Sequence, residues 1–282
     1  MESKEKELKK DGVYLSNFVA MGMAFFVLVL AFAVGFFAKG YFGGSGAKGS
    51  GTTGPAVTTP TGTTAKKTVT LDQVKDVFSK SVIKFGDTKR KVIFVEASDP
   101  SCPFCSIASG KNGKLNMDVE KSNPTQYRFT LVADGGSYVA PVEEMRKLVD
   151  EGKASYAMIY RFGHGNGEIA MRALYCAFDA GRFWQAHDLI MSGPGYDLVN
   201  NTVRNDKAKI GELVAFLTGA VDSVTPKACL DSGKYDTRIA EDTKLGDGLN
   251  LGGTPGFYIN DKLFAGAYNY TDMKSTVDSF LK

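Results

Sequence analysis

Histidine is scarce in this sequence, which has two histidines and four cysteines among its 282 residues. Only Cys102 and Cys105 stand close together, as a C-x-x-C pair, and Cys176 and Cys229 have no histidine beside them. A structural zinc site usually needs two close pairs of Cys or His ligands. The scarcity argues against zinc, so we expect no bound metal and no cofactor.

Long runs of basic residues are also missing. Lys and Arg total 34 against 31 Asp and Glu, which leaves a formal net charge of +3. A nucleic-acid-binding domain usually carries a basic stripe or patch, often interleaved with aromatic residues. The composition therefore excludes nucleic acid as an expected partner.

Charged residues are absent from positions 12–38, where Phe, Val, Leu, Ala, Met and Gly dominate. No polar stripe interrupts this run, which disfavours a helix of a soluble core. About 20 apolar residues are enough to span a bilayer. We predict a transmembrane helix over residues 14–38. A cleaved signal peptide is the alternative, although its apolar stretch is usually about 7–15 residues.

Lysines flank this segment unequally, and more of them precede it than follow it closely. By the positive-inside rule, residues 1–13 form a cytoplasmic tail of a single-pass protein in the cell membrane. Residues 39–67, rich in Gly, Ser, Thr and Pro, are expected to be a flexible linker. Residues 68–282 then form an extracytoplasmic folded domain.

The pattern of this domain alternates between strands and helices. Residues 91–96 are predicted to be a buried strand because they are apolar and β-branched. Residues 111–138 are expected to be irregular, apart from a strand near 126–132. Other predicted strands are 155–162, 256–259 and 262–265, and predicted helices include 141–150, 168–181, 182–191, 210–217, 236–245 and 272–281. This order predicts an α/β thioredoxin fold with a helical insertion.

The C-x-x-C pair comes directly after the first strand and opens a helix. Pro103 suits the first helical position, which places Cys102 at the N-cap. There its sulfur can accept a backbone N–H and is exposed to the positive end of the helix dipole, which favours the thiolate. Cys105 lies one turn deeper. We therefore expect Cys102 to be the attacking thiol and Cys105 the resolving one. Half of a zinc site or an incidental bridge are the alternatives.

Four segments resemble the DsbA-like thiol:disulfide oxidoreductases. Residues 97–105, Ala-Ser-Asp-Pro-Ser-Cys-Pro-Phe-Cys, resemble the active site of that family. Residues 173–188, with Gly-Arg-Phe-Trp, look like its helical insertion, and residues 228–235 and 253–260 look like its C-terminal part. The resemblance covers about residues 69–282.

The resemblance implies roles for several residues. Thr254 and Pro255 match a cis-proline loop that faces the sulfurs and binds an extended substrate, and Pro103 and Phe104 are expected to contact the substrate as well. Glu96 matches an acid buried under the dithiol, which can exchange a proton with Cys105.

The resemblance also implies a second disulfide. Some relatives pair cysteines in the regions of Cys176 and Cys229, and a structural bridge is expected between them in an oxidising compartment. A buried free cysteine that acts as a small hydrophobic residue is the alternative.

The function implied is oxidation of thiols in exported proteins, with a membrane redox partner that resets the dithiol. Phe104 adds no positive charge beside the thiols, which leaves a reductase or isomerase as an alternative on the same fold. A non-catalytic, membrane-anchored binding domain is a further alternative.

Overall fold

A computed structural model describes residues 68–220 and 224–282 of the chain. The predicted tail, membrane helix and linker of residues 1–67 lie outside this described part. Over the two described ranges, no helix combines the length and apolar character that crossing a bilayer requires.

Five strands form one mixed sheet in the order β1-β3-β2-β4-β5. β2 and β3 run parallel at its centre, and the other neighbouring pairs are antiparallel. All seven residues of β2 and of β3 are buried, because helices cover both faces of the sheet. The strands are β1 Ile83–Phe85, β2 Val92–Ser98, β3 Ala154–Tyr160, β4 Gly256–Ile259 and β5 Lys262–Ala265.

The helices fall into four groups along the chain. α1 precedes the sheet, α2 to α4 connect β2 to β3, and α11 closes the chain. The remaining helices form an insertion between β3 and β4. The α-helices are α1 Leu71–Lys80, α2 Pro103–Ser109, α3 Gly113–Ser122, α4 Pro141–Asp150, α5 Glu168–Asp179, α6 Phe183–Ile190, α7 Gly193–Asp197, α8 Ile210–Leu217, α9 Val224–Asp231, α10 Arg238–Gly248 and α11 Tyr270–Leu281.

Alternation along β2 separates two cores. Val92 and Phe94 belong to the larger core, together with residues of the insertion helices, whereas Ile93 and Val95 pack in a smaller core that includes residues of α1. Because strand side chains alternate, Glu96 points to the same face as Phe94. The sheet thus aims one carboxyl side chain into the larger core.

The thioredoxin-like α/β fold is confirmed, and the helical insertion lies between β3 and β4 as expected. The predicted hairpin matches β4 and β5, and α4 and α8 have the predicted bounds. β1 was not predicted, because three residues are too short to show a period.

The prediction for residues 111–138 was wrong in two respects. Residues 113–122 form α3, whose first turn is capped by the side chain of Asn112. Residues 126–132 contain no strand beyond one isolated bridge at Leu131. Instead, the Glu120 carboxylate accepts the N–H groups of Phe129 and Thr130 at 2.8 and 2.6 Å. A side chain therefore satisfies donors that a strand partner would have taken.

The helical insertion contains a disulfide. Cys176 on α5 and Cys229 on α9 are bonded, with Cα atoms 5.9 Å apart and a sequence separation of 53. The bridge fixes α9 to a helix that lies in the larger core.

Replacing both bridge cysteines, as Cys176→Ala/Cys229→Ala, should destabilise the domain. Loss of the constraint on a loop of this length is worth about 4 kcal/mol in the chain-entropy model. Urea unfolding under non-reducing conditions measures the free energy of unfolding. A loss under about 1 kcal/mol would show that the bridge constrains little in the unfolded chain.

Candidate functional site

The C-x-x-C pair lies where β2 ends and α2 begins. Cys102 is the N-cap residue of α2, with extended backbone angles, and Pro103 occupies the first turn. The Cys102 N–H donates to the carbonyl of Asp99 at 2.9 Å, which closes the turn between strand and helix. α2 ends after seven residues at Gly110, whose φ of 74° suits glycine.

The two sulfurs are free thiols with different surroundings. Cys102 is 4% exposed and Cys105 is 1% exposed. The thiol of Cys102 donates to the carbonyl oxygen of Thr254 at 3.5 Å, and the N–H of Asp99 donates to the sulfur of Cys105 at 3.5 Å. One sulfur thus faces the loop before Pro255, and the other lies inside the turn.

These surroundings separate the pKa values of the two thiols. Hydrogen bonding by the Cys105 side chain, with smaller contributions from Thr254 and the first amides of α2, lowers the pKa of Cys102 from 9.0 to about 7 against the opposing effect of burial. Burial is the largest cause that raises the pKa of Cys105 well above its usual value, and the nearby Cys102 and Glu96 add to it. Cys102 is therefore the thiolate near neutral pH.

The expected capping hydrogen bond to Cys102 is absent. Its side chain makes no hydrogen bond of capping geometry with the first turn of α2, although the residue does occupy the N-cap. The sulfur points instead toward the carbonyl of Thr254. The thiol of Cys105 lowers the pKa of Cys102 more than any single backbone amide does.

Glu96 is buried on the larger-core face of β2, with 1% of its surface exposed. The hydroxyl of Tyr156 on β3 donates to its carboxyl oxygen at 2.5 Å. Burial raises the pKa of Glu96 above 4.5, and the hydrogen bond from Tyr156 opposes part of this rise. Glu96 also raises the pKa of Cys105 by its charge, so the carboxyl and this sulfur are electrostatically coupled.

The Thr254–Pro255 peptide bond is cis. Pro255 directly precedes β4, which pairs with β2 beside the C-x-x-C turn. This register brings the carbonyl of Thr254 to the sulfur of Cys102.

Phe104 lies at the rim of the site among aromatic rings contributed by the segment after α3. Its ring centroid is 5.9 Å from that of Tyr127 and 6.0 Å from that of Phe129, and these two rings stack on each other at 5.2 Å. This segment therefore contributes an aromatic cluster next to the dithiol. Tyr127 and Phe129 were missed because their positions depend on the fold of residues 111–138.

Two further features were missed as parts of the site. Asp99 was given no role of its own within residues 97–105, yet its side chain is buried with four hydrogen-bond donors around it. The glycine-rich loop of residues 163–167 was left out of the site, yet its first residue packs beside Cys102. The pattern Ser-Asp-Pro-Ser before a C-x-x-C is the signal that could have identified Asp99.

Over residues 68–220 and 224–282, no group of three or more His, Cys, Asp or Glu side chains could hold a metal ion. The arrangement instead presents two thiols of unequal acidity, one buried carboxyl and a cis-proline loop. Such a pair can form and break a disulfide by thiolate attack, with the more acidic sulfur as nucleophile or leaving group.

This combination is typical of a thioredoxin-fold dithiol protein, and comparison with known proteins agrees. A sequence profile described as Thioredoxin matches residues 138–279, half of the chain, a segment that begins after the C-x-x-C pair. Disulfide bond formation protein D of Bacillus subtilis is 23% identical over 204 residues, which cover 70% of this chain and 76% of that protein. The crystal structure of alpha-DsbA1 of Wolbachia pipientis superimposes with a TM-score of 0.51 at 15% identity, covering 76% of this chain and 96% of that one.

A Na⁺/H⁺ antiporter, NhaA 1 of Salinispora arenicola, is 30% identical over 200 residues, which cover 69% of this chain and 24% of the antiporter. The match thus spans about a quarter of that protein, and its transport activity is not carried over. The chain belongs to the thioredoxin family, and the proteins that it resembles there include a disulfide bond formation protein and a protein of the DsbA type.

Replacing Glu96 by Gln should change how stability depends on pH. Because the pKa of Glu96 is raised in the folded state, its stabilising contribution is fully present below 4.5 and is lost as pH rises through the folded value. Gln stays neutral and still accepts a hydrogen bond from Tyr156. The free energy of unfolding of Glu96→Gln minus that of wild type should therefore increase as pH rises.

Urea unfolding from pH 4 to 8 measures this difference, with Glu151→Gln at an exposed position as the matched control. A constant difference between Glu96→Gln and wild type over this range would contradict a raised pKa for the buried carboxyl.

Proposed function

We propose that this protein is an extracytoplasmic oxidase of thiols in exported proteins, with Cys102 and Cys105 as its catalytic pair. The observation that carries the proposal is the position of the Cys102 sulfur, at the start of α2 and 3.5 Å from the carbonyl before Pro255, above a fully shielded Cys105. A client thiol that approaches the cis-proline loop meets Cys102 first.

The reaction starts from the Cys102–Cys105 disulfide. A client thiolate attacks the sulfur of Cys102, which forms a mixed disulfide and releases Cys105. Because the pKa of Cys105 is raised, its sulfur takes up a proton when it leaves, and the carboxyl of Glu96 is the group placed to donate that proton. A second client thiolate then attacks the client sulfur, and Cys102 leaves as a thiolate. The client loses two electrons, which the dithiol now holds.

The direction follows from which form the protein stabilises. The depressed pKa of Cys102 favours the folded, reduced form; this contribution is fully present above the usual value of 9.0 and is lost as pH falls through about 7. A stabilised reduced form makes the disulfide a stronger oxidant. Phe104 adds an aromatic ring and no positive charge beside the thiols, so it does not stabilise the thiolate further. Reduction or isomerisation of client disulfides therefore remains the alternative activity.

Substrate contacts are assigned to the residues around the exposed edge of Cys102. Thr254 and Pro255 offer an extended segment on which a client chain can pair as a strand does. Pro103 and Phe104 form the opposite rim, where Phe104 continues into the rings of Tyr127 and Phe129. A membrane redox partner would accept the two electrons.

The location is part of the same proposal. Residues 14–38 anchor the chain in the cell membrane, residues 1–13 remain in the cytoplasm, and residues 39–67 tether the domain outside. The bridge between Cys176 and Cys229 supports an oxidising compartment, since structural disulfides are rare in the cytosol.

The full chain, purified in its oxidised form, should oxidise a reduced, unfolded client at pH 7. Cys102→Ala should lower the rate by roughly three orders of magnitude or more, because it removes the reacting sulfur. The matched control replaces cysteines elsewhere, as Cys176→Ala/Cys229→Ala, assayed below its melting temperature, and should retain the exchange. Equal rates for Cys102→Ala and wild type would exclude the proposed catalytic pair.

Direction and location can be read together in intact cells. A membrane-impermeant maleimide should label Cys102 only after brief treatment with a reductant, because the resting pair is oxidised and outside. Labelling without reductant would indicate a reductase or isomerase. No labelling in intact cells, with labelling after lysis and reduction, would contradict the extracytoplasmic location.

A further inference from the structure

The carboxylate of Asp99 joins two segments that meet beside Cys102. It is fully buried, and one oxygen accepts the N–H and the hydroxyl of Ser101 at 2.8 and 2.7 Å. The other oxygen accepts the N–H groups of Gly163 and His164 at 2.8 and 2.9 Å. One oxygen therefore holds the turn before the helix, and the other holds the loop that follows β3.

The loop of residues 162–167 lies in close contact with the site. A Cβ atom at Gly163 would lie 2.0 Å from the hydroxyl oxygen of Thr254 and 3.2 Å from the Cβ of Cys102. A Cβ atom at Gly167 would lie 1.9 Å from the carboxylate of Asp99. Glycine at these two positions lets the backbone approach to a distance that any side chain would prevent.

The same loop presents an apolar side chain to solvent. The ring of Phe162 is 64% exposed, next in sequence to the residue that packs beside Cys102. An exposed aromatic ring on this loop offers an apolar contact to a client chain that reaches Cys102. The loop therefore packs beside Cys102 and carries an exposed aromatic ring at its start.

We propose that Asp99 is a positioning residue that holds the 162–167 loop as one wall of the client-binding cleft, where a client chain with a bulky apolar side chain near its thiol contacts Phe162. This inference rests on the proposed function. The side chain of Asp99 reaches neither sulfur and acts through the loop. Loss of the wall should therefore weaken the binding of an unfolded client more than it slows the chemical step.

The hydrogen bonds define two complementary variants. Asp99→Asn keeps the size of the side chain and one acceptor oxygen for Ser101, but it sets an NH₂ group against the two N–H donors of the loop. Gly167→Ala keeps the carboxylate and pushes the loop away from it. The matched control is Gly211→Ala on α8, where an added Cβ meets open space.

Steady-state oxidation of a reduced, unfolded protein client is measured with the full chain. Asp99→Asn and Gly167→Ala should both raise KM by about tenfold, with a smaller change in kcat, as expected when a preorganised hydrogen-bonded wall is lost. Their rates with glutathione, which is too small to span the cleft, should fall less than about threefold. Gly211→Ala should match wild type in every assay.

A merely structural role for Asp99 would lower the melting temperature and leave KM for the client unchanged in folded protein, and that result would overturn the proposal. An effect of Asp99→Asn without one of Gly167→Ala would also overturn it, because charge rather than the wall would then matter. If Asp99→Asn does not fold, the KM of Gly167→Ala for the client is the measurement that tests the proposal.

Hydrogen exchange separates failure of this inference from failure of the proposed function. The amides of Gly163 and His164 should exchange at least about tenfold faster in Asp99→Asn than in wild type, since their acceptor is lost. If wild type proves inert toward the client, the proposed function fails, and this exchange result still shows whether Asp99 holds the loop. Unchanged exchange at both amides would show that Asp99 does not hold the loop.

Discussion

The difference between two neighbouring sulfurs is the constraint on which the rest of the site depends. Cys102 is stabilised as a thiolate by the thiol of Cys105 and by the groups around the start of α2, whereas Cys105 is kept protonated by burial and by the charge of Glu96. A dithiol with equal pKa values would have no preferred nucleophile. The fold creates the inequality by placing the sulfur of Cys102 against the carbonyl of Thr254 and the sulfur of Cys105 inside the turn, against the N–H of Asp99.

The scaffold brings polar groups into places that are otherwise apolar. β2 ends at the turn that carries the two cysteines. Glu96 lies near the end of this strand and Asp99 follows directly after it, so both carboxyl groups are placed close to the turn. Each of these buried groups has a specific donor: Tyr156 for Glu96, and the Ser101 and loop groups for Asp99. Buried polar groups are tolerated when they are hydrogen-bonded, and here the donors come from β3, from the loop that follows it and from the turn before α2.

The sequence was sufficient for the features that depend on local pattern. The apolar run of β2, the Cys-Pro-Phe-Cys helix start and the Asn260-Asp261 hairpin predicted the thioredoxin order, and the family likeness pointed to Thr254–Pro255 and Glu96. Features that depend on tertiary contact could not be found in this way. The segment after α3 is held by the carboxylate of Glu120, which accepts the N–H groups of Phe129 and Thr130. Two of the four hydrogen bonds of Asp99 come from Gly163 and His164, more than 60 positions away. The periodicity of apolar residues along the sequence carries no information about such contacts.

The most direct test is to follow thiolate formation in the reduced chain as a function of pH, from the absorbance near the thiolate band. The account predicts one group that titrates at about 7 in wild type, disappears in Cys102→Ala and moves up toward 9 in Cys105→Ala, because the neighbouring thiol that stabilises it is gone. A group near 7 that survives Cys102→Ala, or no titration below 9 in wild type, would contradict the asymmetry from which the mechanism follows.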